Sequence, residues 1–378
     1  MITKSTWPGP SAFSAGLLTA ALCLASAEAA DAHERSAVPS ISTFVHSGLN
    51  NPRGLRFGPD GYLYVAEGGT GGADRACTTV PAVGPYTGSP TGGRISRIDR
   101  HGHRTTVTDT LPSSQTSKDS GYLTSGVADI AFIDGTLYAL LAGAGCSHGV
   151  ATPNGVARIH RNGTWELIAN LSAFQQAHHV KNPNPGDFEP DGTWWSMVAV
   201  HGDLYAVEPN HGELDKITPR GEITRVIDIS ASQGHVVPTS IAYRGAFFVS
   251  NLGTFDPDQL NTQSVFEITQ TGNLRVVATG LSKVLGLTFD ERGRLYVLET
   301  SYSATDPGPV PGTGRLLRFG RNGKMEVLID SSSGLLTFPT GMTFGPDDAL
   351  YISNVGFGPP FLTVGQGQIL RVQLRDDD

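Results

Sequence analysis

The chain has 378 residues, a net charge of −8 and only 16% charged residues. Its length allows one large domain or two of ordinary size. The acidic balance argues against binding to nucleic acid or to an anionic membrane surface, since both need basic patches. The 47 glycines and 24 prolines indicate many tight turns, and the 39% hydrophobic content supplies a core. This composition favours an all-β fold built from short strands.

The N-terminal residues have the pattern of an export signal. Lys4 precedes an apolar stretch, residues 12–25, that is too short to span a bilayer. Two motifs of the A-x-A type predict cleavage after Ala29 or Ala32. We therefore expect a secreted or periplasmic protein that has no membrane attachment after cleavage.

A repeated unit follows this segment and recurs six times. Its first copy opens with residues 52–67 (PRGLRFGPDGYLYVAE), a pattern typical of a short strand, a Pro-Asp-Gly turn and a second strand. A variable loop, a third strand, a glycine turn and a fourth strand complete the unit. Four antiparallel strands in each unit of roughly 45 to 60 residues are typical of the blade of a β-propeller.

The sixth unit lacks a fourth strand, and the N-terminal segment can supply it. Residues 41–45 (ISTFV) lead into a Gly-Leu pair, as residues 274–278 do in the fourth unit. We therefore predict an all-β, six-bladed β-propeller with four antiparallel strands per blade, whose sixth blade is closed by the N-terminal strand. The predicted domains are a signal peptide at 1–29, a short linker at 30–37 and a single propeller at 38–378.

The lengths of the links between strands predict which face carries function. The links from first to second strand and from third to fourth strand are tight turns rich in Gly, Asn and Asp. The long links, among them 68–92, 111–126 and 142–154, all fall on the opposite face, and loops of this length are usually functional. Cys77 and Cys146 lie in long links of neighbouring blades. In an oxidising compartment we expect them to form a disulfide.

The residue that ends the second strand of each blade is the first candidate for chemistry. The six positions are Glu67, Leu141, Glu208, Asn251, Glu299 and Asn354. Five of them carry side-chain oxygens. If they converge at the axis, they suit a divalent cation such as Ca²⁺, a polar ligand, or acid–base catalysis by the three glutamates. The alternative is that each side chain binds backbone donors at the edge of its own blade.

A second group of candidates precedes the third blade. Asp187, Glu189 and Asp191 alternate before a glycine, like the opening of a calcium loop, although a valine stands where such a loop has its bidentate glutamate. An acidic turn is the alternative. Trp194 and Trp195 follow, and either can stack on a flat ligand or pack in the core. The candidates for ligand binding are these two tryptophans, the strand-end residues Asn251 and Asn354, and Arg53, Asp129 and His211.

Five motifs occur in a fixed order along nearly the whole mature chain. They are GLNNPRGL at 48–55, LYVAEGG at 63–69, FPTG at 338–341, LYISN at 350–354 and GQILRV at 367–372. In this ordered set the chain resembles the ScyD/ScyE family of exported propellers. The resemblance implies fold and export. Named members of that family are associated with late, extracytoplasmic steps in making the cyanobacterial sunscreen pigment scytonemin.

The leading functional hypothesis is an exported propeller that binds a small organic ligand, such as an aromatic secondary metabolite, on its long-loop face. Any catalysis would be assisted by Glu67, Glu208 and Glu299. One alternative is a metal-dependent hydrolase or lactonase with an axial Glu/Asn site, and another is a non-catalytic scaffold for an exported protein or a glycan. In each case we expect a monomer. Gluconolactonase-like propellers hold their metal with acidic or amide residues near the start of the axial strands. This chain has few such residues there, which argues against the first alternative. The comparable positions here are Arg53, Ala128, Ser196, Thr239, Leu285 and Thr340, with only Asp129 nearby as a carboxylate.

Overall fold

Six antiparallel sheets follow one another along the chain. They are seen in a computed structural model that describes residues 39–117, 119–120, 122–254, 260–303, 310–320, 323–356 and 364–374. Five sheets have four strands each, and the sheet of blade one has two additional short strands. The predicted six-bladed β-propeller is therefore confirmed. Within these described ranges no helix is long and apolar enough to cross a membrane.

The strands follow the repeats read from the sequence. The first strand, β1, spans Ser40–Leu49. Blade one contains β2 (Pro52–Phe57), β3 (Leu63–Glu67), β4 (Asp74–Arg75), β5 (Thr87–Ile98), β6 (Arg104–Gln115) and β7 (Thr124–Ser125). Blade two contains β8 (Val127–Ile133), β9 (Thr136–Leu141), β10 (Gly155–Ile159) and β11 (Trp165–Asn170). Blade three contains β12 (Ser196–Val200), β13 (Asp203–Glu208), β14 (Glu213–Ile217) and β15 (Ile223–Asp228).

The remaining blades have the same order. Blade four contains β16 (Pro238–Tyr243), β17 (Phe247–Asn251), β18 (Gln263–Ile268) and β19 (Leu274–Leu281). Blade five contains β20 (Val284–Phe289), β21 (Leu295–Glu299), β22 (Arg315–Phe319) and β23 (Met325–Ile329). Blade six contains β24 (Gly341–Phe344), β25 (Leu350–Asn354) and β26 (Gly367–Gln373) together with β1. The two described α-helices are short: α1 is Leu171–Ala177 and α2 is Ser230–Gln233.

The N-terminal strand closes the ring, as predicted. β1 pairs antiparallel with β26, so that the strand order of blade six is β1-β26-β25-β24. Val45 lies opposite Ile369 and Leu49 lies opposite Gly367. Val45 and Leu49 pack in a core shared with the first two strands of blade one. The strand that completes the last blade therefore also contacts the first.

The core lies between the blades rather than at the centre of the ring. Along β13, Leu204 and Ala206 pack against blade two, whereas Tyr205 and Val207 pack against blade four together with Phe247. Each blade is thus buried on both faces, which explains why its strands are apolar at successive positions instead of alternating.

Blade one departs from the sequence analysis. Part of what reads as two long loops is a hairpin, in which Thr87 pairs with Gln115 and Ser89 with Ser113. The strand pattern is hidden because the segment is rich in Ser, Thr and Gly, and because register shifts interrupt the pairing near Gly93. The hairpin extends the long-loop face beyond the blade itself.

Truncation of a buried β1 residue tests ring closure. Leu49 has no exposed surface, so Leu49→Ala should lower the free energy of unfolding by about 2–5 kcal/mol. His46 is exposed on the same strand, and His46→Ala should change it by less than about 0.5 kcal/mol. Urea denaturation measures both, and equal small effects would contradict closure by β1.

Two carboxylates lie buried on β14 at the interface with blade two. Glu213 and Asp215 have no exposed surface, and Arg225 binds Glu213. Neither carboxylate oxygen of Asp215 has a hydrogen-bond partner among the described residues. Burial raises the pKa of both carboxyl groups, and their mutual repulsion adds to the effect for Glu213, while Arg225 opposes it. The folded chain therefore holds these protons more tightly than the unfolded chain does.

This pair predicts how stability depends on pH. Because the pKa values are raised on folding, the free energy of unfolding should fall as pH rises from the ordinary carboxyl value of about 4 towards the alkaline range. Asp215→Asn should flatten this slope and raise stability at pH 8 by on the order of 2 kcal/mol. The matched control is Glu222→Gln at the exposed turn after β14, which should leave the slope unchanged. Urea denaturation across the pH range measures both slopes, and an unaltered slope in Asp215→Asn would contradict the assignment.

Candidate functional site

A cavity of about 470 Å³ opens on the long-loop face. Its wall includes residues at or just before the innermost strands of five blades: Arg53, Val127, Trp195, Thr239 and Leu285. Innermost strands surround the axis of a propeller, so this cavity is its axial mouth. The volume lies in the range of pockets that hold small organic ligands.

One side of the cavity is apolar and aromatic. Leu123, Trp195 and Leu252 pack against a buried cluster formed by Leu285 and Phe338, and all but Phe338 line the cavity. The guanidinium carbon of Arg53 lies 4.8 Å from the centre of the Trp195 ring, and an Arg53 N–H donates to the backbone oxygen of Thr124 at 2.6 Å. Burial lowers the pKa of Arg53 to about 10, so the group stays cationic at neutral pH. This side combines a flat ring with a buried positive charge.

A second part of the wall carries a carboxylate and an imidazole that contact each other. Asp187 Oδ2 lies 2.8 Å from His235 Nε2, and Asp187 Oδ1 accepts a hydrogen bond of 2.9 Å from the Asn210 amide. All three residues line the cavity. Both oxygens of Asp187 are thereby held, and the imidazole is oriented by a carboxylate.

A buried polar network begins at the cavity wall and runs inward. Tyr86 and Glu189 line the cavity, and Tyr86 Oη lies 3.1 Å from Glu189 Oε1. Glu189 Oε2 is 3.7 Å from His148 Nε2, and His148 Nδ1 is 2.9 Å from Ser114 Oγ. Burial raises the pKa of Glu189 well above its usual range and lowers the pKa of His148 to about 4. Burial therefore favours the neutral form of both groups.

The disulfide predicted from the sequence is confirmed and supports this network. Cys77 is bonded to Cys146 across 69 positions of sequence, and Cys77 N–H also donates to Cys146 O at 3.0 Å. The bond ties the link that leads to Tyr86 to the turn that contains His148. Gly88 passes so close to the backbone of His148 that an added Cβ would lie 2.2 Å from its oxygen. A side chain at position 88 would therefore push these segments apart.

The glutamates that end the second strands are held within their own blades. Each accepts a backbone N–H from a neighbouring link, and two also bind an arginine of the third strand. The contacts join Glu67 to Asn50 N (2.6 Å) and Arg94 Nε (2.8 Å), Glu208 to Thr193 N (3.0 Å) and His211 N (2.6 Å), and Glu299 to Ser282 N (2.8 Å) and Arg315 Nε (2.6 Å).

The two asparagines at this position are held in the same way. Asn251 Oδ1 accepts from Ser264 N at 2.8 Å, and Asn354 Oδ1 accepts from Thr337 N at 2.8 Å. None of the five polar strand-end side chains lines the axial cavity. These contacts correspond to the alternative given in the sequence analysis, in which each side chain binds backbone donors at the edge of its own blade. A catalytic role for the glutamates stays a prediction.

The acidic segment before blade three does not have the geometry of a calcium loop. Asp187 faces His235, Glu189 faces Tyr86, and Asp191 Oδ2 accepts from Ser147 N–H at 2.8 Å and Ser147 Oγ at 2.7 Å. The three carboxylates therefore turn to different partners. Within the part of the chain that the structure describes, no three His, Cys, Asp or Glu side chains are placed to hold a metal ion.

The other candidates divide between the cavity, the channel and the core. Trp194 is fully buried between blades two and three, and it touches the cavity wall beside Trp195. Asp129 lies in the axial channel below, where it accepts from Met197 N at 2.9 Å, and burial raises its pKa. His211 is buried outside the wall, with Nε2 3.0 Å from Glu189 O.

Sequence reasoning missed the residues of the cavity wall that add the polar contacts described above. They are Tyr86, Asn210 and His235. His235 shortly precedes the innermost strand of blade four, much as Trp195 directly precedes that of blade three. The position of a residue in a link that leads into an innermost strand was therefore a feature of the sequence that could have predicted this site. Tyr86 had no such signal, because the blade-one hairpin that places it was read as loop.

The fold and the axial cavity define a six-bladed β-propeller with a ligand-sized cavity on its long-loop face. No family model matches the chain, and no curated protein matches it in sequence. Solved structures of similar fold include a putative oxidoreductase (glucose dehydrogenase) from Thermus thermophilus, at 19% identity and a TM-score of 0.55, covering 88% of this chain and 99% of that one.

Two further structures are similar over most of the chain. A gluconolactonase from Xanthomonas campestris has 12% identity and a TM-score of 0.53, with 92% of this chain and 93% of that chain covered. The PQQ-bound aldose sugar dehydrogenase of Streptomyces coelicolor has 15% identity and a TM-score of 0.53, with 89% and 98% covered. At these identities the likeness shows a shared fold.

Removal of the disulfide tests its contribution to the site. The Cys77→Ser/Cys146→Ser variant should lose about 2–5 kcal/mol of stability, because the bond closes a long loop in the unfolded chain. The segments that carry Tyr86 and His148 should also exchange their amide hydrogens faster than the rest of blade one. Denaturation and hydrogen exchange measure these effects. The matched control is the wild-type chain under reducing conditions, which should behave as the variant does; unchanged exchange in both would contradict a supporting role.

Proposed function

We propose that the axial cavity binds a small organic ligand with a flat aromatic portion. The observation that carries this proposal is the wall formed by Trp195, with Arg53 against its ring, in a cavity of about 470 Å³. Aromatic and apolar groups supply most of the affinity in such pockets, and a few polar groups fix the orientation of the ligand. Asp187 and His235 supply polar groups of this kind.

We further propose that the protein is a ScyD/ScyE-like exported propeller and that its ligand is an aromatic secondary metabolite. The ordered motifs at 48–55, 63–69, 338–341, 350–354 and 367–372 support this assignment. The apolar N-terminal stretch with its A-x-A motifs supports export, and the disulfide suits an oxidising compartment. Similar solved propellers are described as a gluconolactonase and as sugar dehydrogenases, so the architecture is compatible with small-molecule ligands.

The metal-dependent lactonase alternative has weaker support. Of the residues at the start of the innermost strands, Asp129 offers the carboxylate, and it is already bound to Met197 N–H and Ser196 Oγ. The strand-end glutamates are bound in their own blades. We therefore place ligand binding on the aromatic cavity rather than on a divalent cation.

Binding of a fluorescent probe tests the proposed site. Anilinonaphthalene sulfonate combines a flat ring system with an anion, which fits Trp195 and Arg53. We expect saturable binding of one probe per chain, and Trp195→Ala should weaken it at least tenfold, or about 1.4 kcal/mol. Fluorescence titration measures the dissociation constant.

The chain offers a matched tryptophan control. Trp165 begins β11, and its Nε1 donates to the backbone oxygen of Thr110, away from the cavity. Trp165→Ala should leave the dissociation constant unchanged. Equal weakening in both variants, or none in Trp195→Ala, would overturn the site. Displacement of the probe by an added exported protein rather than by aromatic compounds would favour the scaffold alternative.

A further inference from the structure

The polar groups of the axial cavity form two sets of opposite character. Tyr86 and Glu189 can donate hydrogen bonds on one part of the wall, and the pair of Asp187 and His235 can accept a proton on another. All four residues line the same cavity. A ligand that fills this cavity can therefore meet both the donors and the base.

The donor set depends on a neutral carboxyl group. Glu189 is 2% exposed, and burial is the main cause of its raised pKa, to which neighbouring carboxylates add. Tyr86 Oη donates to Glu189 Oε1 at 3.1 Å. When Glu189 is neutral, its own O–H can instead donate to Tyr86 Oη, and the Tyr86 O–H can then donate to a ligand oxygen. A tyrosine beside a protonated carboxylic acid is a known donor arrangement for a developing oxyanion. The titratable groups facing Glu189 are Tyr86, His148, Asp187, Asp191, Glu208 and His211.

The base, His235, is oriented by its partner, Asp187. His235 Nε2 lies 2.8 Å from Asp187 Oδ2, and Asn210 holds the other oxygen of the carboxylate. With the Nε2 proton directed at Asp187, the other ring nitrogen of His235 is a proton acceptor. The carboxylate then stabilises the imidazolium that forms on proton uptake.

We propose that this cavity catalyses the enolisation of a carbonyl compound that carries a flat aromatic portion. His235 removes a proton from the carbon next to the carbonyl, the electrons of that C–H bond form a C=C bond, and the carbonyl π electrons move to oxygen. Tyr86 and Glu189 stabilise the oxyanion, and His235 returns the proton to carbon. The reaction needs no oxidant, reductant or second substrate. The inference rests on the proposed function, because the ligand occupies the same cavity.

Exchange of carbon-bound hydrogen for deuterium tests this activity. β-Tetralone is an aromatic ketone whose benzylic methylene lies next to the carbonyl, and its exchange in buffered deuterium oxide is followed by proton NMR. We expect wild-type protein to accelerate exchange over buffer. Tyr86→Phe should reduce the acceleration about 100-fold by loss of a donor, and His235→Asn should reduce it at least about 100-fold by loss of the base.

Controls and a binding readout make the outcomes distinct. Tyr62→Phe and His201→Asn alter the same residue types in tight turns on the opposite face and should keep full acceleration. Displacement of anilinonaphthalene sulfonate by β-tetralone reports binding, and both cavity variants should retain it within about threefold. Loss of exchange with binding retained supports the proposal.

Two results would overturn the proposal. If the probe binds but exchange stays at the buffer rate, or is equally fast in Tyr86→Phe and His235→Asn, the cavity binds ligands without this chemistry and the proposed function stands. If neither the probe nor β-tetralone binds to the folded protein, the proposed function fails together with the activity.

Discussion

The antiparallel pairing of β1 with β26 is the contact on which the rest of the molecule depends. A propeller blade buries both of its faces only when it has a neighbour on each side, so every interface relies on a complete ring. Blade six draws three strands from the C-terminal end and one from the N-terminal end. Leu49 and Val45 then continue from that blade into the core beside blade one. The axial cavity exists because this ring brings the starts of the innermost strands together.

The fold could be predicted because its information is repeated. Six copies of a strand–turn–strand pattern indicate the same architecture. A strand that is misassigned in one copy can therefore be recognised by comparison with the others. The missing strand of the sixth unit, together with the ISTFV segment at residues 41–45, was enough to predict how the ring closes. The disulfide was predictable because Cys77 and Cys146 are the two cysteines that follow residue 32, and they lie in links of adjacent blades. The blade-one hairpin was not predictable, since its Ser-, Thr- and Gly-rich strands lack an apolar pattern.

The site was only partly predictable, for a reason of local geometry. A carboxylate at the end of a second strand meets the backbone N–H groups of the adjoining link before it can reach the axis, as Glu208 meets Thr193 and His211. Such a group satisfies a local donor at little conformational cost, whereas convergence at the axis would leave that donor unpaired. Residues that enter the innermost strands face no such competition. Arg53, Trp195 and His235 therefore reach the cavity.

Burial decides the charge that the cavity presents to a ligand. Arg53 remains cationic, and Asp187, in contact with His235, lines the same cavity. Burial favours the neutral form of Glu189, an effect to which neighbouring carboxylates add, and it also favours the neutral form of His148 behind it. Burial therefore reduces the charge of a wall that holds several titratable side chains. Such a wall, with its strong, oriented dipoles, favours a dipolar ligand, for example an aromatic carbonyl compound, over a polyanion. Only the dipolar ligand gains hydrogen bonds at both parts of the wall without burying an unpaired charge.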